Sequence, residues 1–173
     1  MLRVVEVGVL GPVVARLDER ALDLGTPKQR ALIAALALSG GRPVAVDVIV
    51  DLLWGDGPPA GVAGTLQAYV SGLRRVLEPD RPRRAPAGVL VTAAPGYALR
   101  LAPDGLDAER FERLVDDQHR RVQLLSQYGP PALSADDLGA CTAALDDALG
   151  LWRGTPYAEL EDAPQAVAER TRL

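Results

Sequence analysis

The apolar positions of this chain change period as the chain proceeds. Val5, Val7 and Val9 alternate with Glu6 and Gly8, the two-residue period of a strand. Gly11 and Pro12 break the run, and apolar stretches at 13–17 and 21–24 flank the turn signal Asp18-Glu19-Arg20. The chain therefore opens on a small antiparallel sheet. From Thr26 the period lengthens. TPKQRALIAALALSGG predicts a helix capped by Thr26, with Pro27 at its first position and Gly40 and Gly41 as its stop. VDVIVDLLWGDGPP predicts a second, short helix with Asp47 as cap and Ile49, Leu52, Leu53 and Trp54 on its apolar face. A third runs from about residue 62 to 77. After the proline- and arginine-rich EPDRPRRAPAG, VLVTAAPGYALRL predicts a hairpin around Ala-Pro-Gly. Val89 and Val91 alternate on one arm, and Tyr97, Leu99 and Leu101 on the other.

Sheet, three helices and hairpin, in that order, make an α+β winged helix-turn-helix with the hairpin as its wing. In that arrangement the helix before the wing enters the DNA major groove. APDG then marks a boundary, giving a winged-helix domain over 1–102 and an all-α domain over 105–173. LDAERFERLVDDQHRRVQLLSQ predicts an amphipathic helix with Phe111, Leu114, Val115 and Val122 inward. YGPPALSADD reads as a loop, and LGACTAALDDALGLWRGTP as a second helix stopped at Gly154. APQAVAERTRL begins a third with no closing cap, so the chain reads as part of a longer protein with its helical domain cut short.

The third helix raises the functional question. Val62, Leu66, Tyr69, Val70, Leu73 and Leu77 fall on one apolar stripe, with Gly64, Gln67, Ala68, Ser71 and Arg75 opposite and Arg74 on the flank. One reading of that outer face is plain solvation. The other is base reading. Small residues admit close approach, glutamine pairs bidentately with adenine, arginine with guanine or phosphate, and alanine touches a thymine methyl. Arg81, Arg83 and Arg84 in the following loop, Arg100 on the wing, and Lys28 and Arg30 at the start of the first helix supply basic charge of the kind that neutralises phosphates. The amides at that helix start also favour a phosphate. Tyr97 suits either a core position or a hydrogen bond to the DNA backbone. Trp54 and Trp152 read as core anchors, and His119 as solvated.

Charge alters the picture only once it is divided. The net charge of −4 disfavours nucleic acid. Yet residues 1–101 hold 12 Lys and Arg against 9 Asp and Glu, and residues 102–173 hold 7 against 14. A basic half joined to an acidic half points to two domains with different partners. The single Cys141 and single His119 leave no internal disulfide, zinc site or Cys–His catalysis, and no phosphate-binding glycine motif occurs. No enzyme, cofactor or metal is expected. No apolar stretch is long enough to span a bilayer, and a cytoplasmic location fits.

Taken together, VGVLGPV, TPKQRALIAALAL, DLLWGDGPP, TLQAYVSGLRRVLEP and VTAAPGYALRL resemble the OmpR-type winged helix of the Streptomyces antibiotic regulatory proteins. LDAERFERLVDD and AALDDALGLWRGTPYAEL resemble the bacterial transcriptional activation domain that follows it in that family. The resemblance covers nearly the whole chain. It implies a winged helix followed by an all-α domain like tetratricopeptide repeats. It also implies an activator that binds direct repeats near promoters as paired protomers, recruits RNA polymerase with its sigma factor, and switches on specialised-metabolite gene clusters. The implied DNA-binding residues are Thr65, Gln67, Ala68, Ser71, Arg74 and Arg75 on the third helix, with Lys28, Arg30, Arg81, Arg83, Arg84, Tyr97 and Arg100 around it. Two departures stand out. Gly72 replaces a basic residue common in relatives, removing a DNA contact, and LSQYGPPALSADD is longer than the family pattern. The competing function class is a protein-interaction module, in which the acidic half binds a partner and the winged helix contributes packing.

Overall fold

Three short strands, β1 (Val5–Gly8), β2 (Val14–Leu17) and β3 (Arg20–Leu22), form an antiparallel sheet in the order β1-β2-β3. The β2–β3 connection is two residues, Asp18 and Glu19, both left-handed at φ 49° and 68°, the backbone a tight hairpin turn demands. Val5, Val7, Ala15 and Leu17 are buried under the sheet, while Glu6, Val14 and Arg16 face outward. The computed structural model describes residues 4–82, 84–127, 134–160 and 162–173.

Helix α1 (Pro27–Ala37) starts at a complete capping box between Thr26 and Gln29, with Pro27 in its first turn. Ala31 to Ala37 are all buried, so this is the central helix, covered on every side. Strand β4 (Val44–Ala45) follows and leads directly into α2 (Val46–Trp54). Asp47 does not cap α2. The helix begins at Val46, and the Asp47 carboxylate accepts from the Val48 amide at 2.9 Å inside the first turn. Helix α3 (Val62–Leu77) buries Leu66, Val70, Leu73 and Leu77. The hairpin β5 (Leu90–Ala93) and β6 (Gly96–Leu99) pairs with β4 in the order β4-β6-β5. Two residues are too few to show a period, so β4 is invisible in the sequence pattern. Gly96 makes the pairing possible, because a Cβ there would collide with the Val44 carbonyl oxygen.

Helices α4 (Asp107–Gln127) and α5 (Ala135–Leu149) pack as an antiparallel pair. A 3₁₀ turn (Ala158–Leu160) and α6 (Pro164–Arg172) complete the chain. The residues between α4 and α5, 128–133, lie outside the described residues, and with them most of the long connection expected there. Two expectations need correction. Val122 is 39% exposed rather than inward. And α5 ends at Gly150, not Gly154. Beyond Gly150 the chain follows the first sheet instead. The Arg153 amide donates to the Leu10 carbonyl at 2.6 Å and the Tyr157 amide to the Val9 carbonyl at 2.7 Å. These long-range bonds replace the helical ones.

The residues before and after the connector that follows β6 share one core. Leu106, Ala108, Tyr157, Leu160 and Ala166 belong to the same buried cluster as Val7, Val9, Leu32 and Leu36. The Val7 amide donates to the Gly105 carbonyl at 2.7 Å, so the connector runs along the edge of β1. Asp107, 9% exposed, accepts from the Val9 amide at 2.7 Å, the Leu10 amide at 3.2 Å and the Arg153 guanidinium at 2.9 Å. Glu159 accepts from the Val13 amide at 3.0 Å and from Arg30 Nε at 3.2 Å. The β1–β2 turn is thus held by two carboxylates of the helical half.

Candidate nucleic-acid interface

Helix α3 is 16 residues long, about 24 Å at 1.5 Å per residue. Its buried stripe and its outer face separate cleanly. Gly64, Gln67, Ala68, Ser71 and Arg75 are exposed, and Thr65 is half-buried near the start. The side chains of Thr65, Gln67 and Ser71 make no hydrogen bond to another described residue. Arg75 makes only a long 3.4 Å bond from Nε to the Ser71 carbonyl, one turn back on its own helix. This face is a row of uncommitted donors and acceptors on a rigid rod, interleaved with small side chains.

Arg74 has a different position from Arg75, its neighbour in sequence. Its Nε donates to the Leu90 carbonyl at 2.7 Å and its Nη2 to the Thr92 hydroxyl at 2.8 Å, both on β5. Its guanidinium lies 5.9 Å from the centre of the Tyr97 ring on β6. Arg74 is therefore a clamp between α3 and the wing rather than a free base reader. Tyr97 pairs with Thr92 across the hairpin and with Val44 on the other side. It is half-buried, and its hydroxyl has no hydrogen-bond partner among the described residues. The ring is positioned by the protein while the hydroxyl stays available. Gln67, Ser71, Arg74, Arg75, Arg81 and Tyr97 together line a groove of about 340 Å³ between α3 and the wing.

The surrounding basic residues divide in the same way. Arg84 is exposed and makes no side-chain bond to a described residue. Arg81 is half-buried, donates to the Ala85 carbonyl at 2.5 Å and lies 3.8 Å from Glu78, so it shapes the loop after α3. Arg83 lies outside the described residues. Arg100 sits at the base of the hairpin beside Gly40, Gly41 and Glu109, not at its tip. Lys28 donates its ammonium to the Leu53 carbonyl and lies 6.0 Å above the Trp54 ring, which stacks on Tyr69 of α3. It caps the end of α2 and braces the turn between α2 and α3. Arg30 donates to the Gly25 carbonyl at 2.7 Å and pairs with Glu159. Lys28 and Arg30 are thus each engaged by a protein acceptor rather than left free for a phosphate.

Gly72 needs a related correction. A Cβ at Gly72 would lie 3.3 Å from the side-chain amide of Gln29. The position faces the capping box of α1, so its missing side chain removes no group from the outer face. Trp54 and Trp152 both act as partly buried anchors. Trp152 meets Phe111 edge-to-face at 5.4 Å. His119 is exposed, its Nε2 2.8 Å from Gln123 Nε2. Among the described residues no cluster of His, Cys, Asp or Glu suits a metal ion, and no helix is long and apolar enough to cross a membrane.

Sequence reasoning missed Asp107, Arg153 and Glu159, which hold the helical half to the β1–β2 turn. Their partners lie 98, 46 and 146 positions away. The available signal was local only: the glycines of the first turn. Gly8 lacks the Cβ that would collide with the Arg153 guanidinium. Gly11, at φ 142°, lies where a Cβ would come within 2.9 Å of the Arg153 carbonyl carbon.

Comparison with known proteins agrees with this architecture. Residues 19–99 match the family model described as "Transcriptional regulatory protein, C terminal", and residues 106–173 match "Bacterial transcriptional activator domain". The chain is 40% identical to regulatory protein AfsR of Streptomyces coelicolor over 167 residues, covering 96% of this chain and 15% of that one. It is 31% identical to regulatory protein DnrI of Streptomyces peucetius over 171 residues, covering 97% of this chain and 59% of that one. The solved structure of Mycobacterium tuberculosis EmbR in complex with a low affinity phosphopeptide superposes with a TM-score of 0.75 at 30% identity. It covers 99% of this chain and 42% of that one. The chain thus spans from 15% to 59% of the length of these relatives.

Proposed function

We propose the following function for this chain, which belongs to the Streptomyces antibiotic regulatory protein family of transcriptional regulators. It is a sequence-specific DNA-binding activator. Helix α3 enters the major groove of a promoter-proximal direct repeat. Gln67, Ala68, Ser71 and Arg75 meet base edges, and each good bidentate pair contributes about 1–3 kcal/mol of discrimination. Tyr97 and Arg84 grip flanking phosphates, while Arg74 fixes the wing relative to α3. Two protomers occupy the two repeats. The acidic helical half, held to the DNA-binding half through Asp107 and Glu159, presents a surface to RNA polymerase and its sigma factor. The regulated genes are a specialised-metabolite cluster. A cytoplasmic location follows from that role.

The observation that carries this reading is the outer face of α3. It is exposed, hydrogen-bonding and uncommitted, beside a wing whose tyrosine hydroxyl is also free. A salt series of mobility-shift titrations tests it. Binding should weaken linearly in log affinity against log salt, and Arg84→Ala should lower the slope by about 0.9, the share of one phosphate contact. A slope near zero would favour the protein-interaction module instead.

A further inference from the structure

A second site lies at the seam between the halves, away from α3. On the outer face of the first sheet, beside the first turn of α4 and the chain after α5, is a depression of about 250 Å³. The charged groups around it are Glu6, Arg16, Asp104, Asp107, Arg110 and Arg153. Three of the six are already paired. Asp104 pairs with Arg113 at 2.7 Å, and Asp107 with Arg153 and two backbone amides. Glu6 lies directly across the β1–β2 pair from Arg16.

Arg110 is the exception. Five described arginines are half-buried: Arg30, Arg74, Arg81, Arg110 and Arg170. Arg30, Arg74, Arg81 and Arg170 each donate to a backbone carbonyl. Arg110 donates its guanidinium to no described residue, and Arg16, across the depression, is also unbonded. The fork of a guanidinium with no protein acceptor is shaped for a carboxylate or a phosphate.

We propose that this depression binds a small oxyanion, a phosphate or a small carboxylate, between Arg110 of α4 and Arg16 of β2. Its volume lies below the roughly 300–1,000 Å³ of drug-sized ligand pockets, so the ligand is small. The anion links the sheet of the DNA-binding half to the first helix of the other half. It thereby reinforces the junction that Asp107 and Glu159 already hold. The site is independent of the proposed reading of α3.

Isothermal titration and amide NMR on the 173-residue chain, at constant ionic strength in chloride, test the site with inorganic phosphate and with malonate in separate arms. One-site saturable binding is expected, with amide shifts at Gly8, Arg16 and Arg110. Arg110→Ala should weaken it at least tenfold and Arg16→Ala severalfold. Arg75→Ala, on the remote α3 face, should leave it unchanged. Binding of phosphate alone, malonate alone or both supports the site and identifies the oxyanion. Failure of both ions to saturate, unchanged binding in Arg110→Ala, or amide shifts confined to α3 and the wing would overturn it. No arm contains DNA, so the outcome is separate from that of the DNA-binding proposal.

Discussion

Replacing Arg74 and replacing Arg75 should have opposite consequences, although the two are adjacent and carry the same charge. Arg74→Ala removes two hydrogen bonds from a charged donor, to the Leu90 carbonyl and the Thr92 hydroxyl, and uncovers the Tyr97 ring. Bonds to charged groups contribute about 1.5–3 kcal/mol each. The Thr92 bond is exposed and screened, so its share is small. Leu90 is fully buried, and its carbonyl would lose this acceptor role. The loss of stability should come to about 2–3 kcal/mol, a large part of the roughly 5–15 kcal/mol that holds a typical domain. Arg75→Ala touches only its own helix and should cost less than about 0.5 kcal/mol. Urea unfolding of both variants measures this, with the slope checked for constancy. In DNA binding Arg75→Ala should lose sequence preference. Arg74→Lys, which keeps the charge but not the fork, should keep sequence preference and bind more weakly through a loosened wing. Equal stability of Arg74→Ala and Arg75→Ala would refute the clamp.

Other outcomes follow from the packing. Asp107→Ala leaves the Val9 and Leu10 amides, both on fully buried residues, without their acceptor. At about 1–3 kcal/mol per orphaned donor it should destabilise by about 2–6 kcal/mol in denaturant unfolding, whereas Asp116→Ala on the exposed side of α4 should be near neutral. Leu73→Ala, at a side chain with no exposure, should cost about 2–5 kcal/mol and remove DNA binding only as far as it unfolds the chain. Tyr157 is 1% exposed, and burial first, then the charge of Glu169, push its phenol above the ordinary tyrosine value of 10.0. A raised folded value means its stabilisation is complete below pH 10 and is lost as the pH rises toward that folded value. Absorbance at 295 nm should show Tyr157 ionising only as the protein unfolds, and Tyr157→Phe should flatten the alkaline decline.

The elements whose pattern is local were legible. Thr26, Pro27 and Gln29 announce α1 by capping chemistry alone, and α3 begins and ends at residues 62 and 77 as its apolar stripe requires. The outer face of α3 could be read because one helix places its residues by angle. Everything decided by a distant partner escaped. Arg74 and Arg75 differ only because β5 passes beside one of them, and Lys28 and Arg30 look available until α2 and the 3₁₀ turn supply acceptors. Helix α5 stops early because Val9 and Leu10 offer carbonyls to the chain beyond it, which no periodicity encodes. The order of sheet, helices and hairpin followed by further helices was legible in the change of apolar period. The division of labour among the arginines rests on long-range contacts.

The most direct measurement is a selection of genomic fragments by the purified chain at moderate salt, run in parallel with Arg75→Ala. If α3 reads bases, the wild-type chain enriches a recurring direct repeat. Arg75→Ala, folded to the same stability, retains bulk DNA affinity but enriches no motif. If both proteins enrich the same motif to the same degree, the outer face of α3 is not the reading surface.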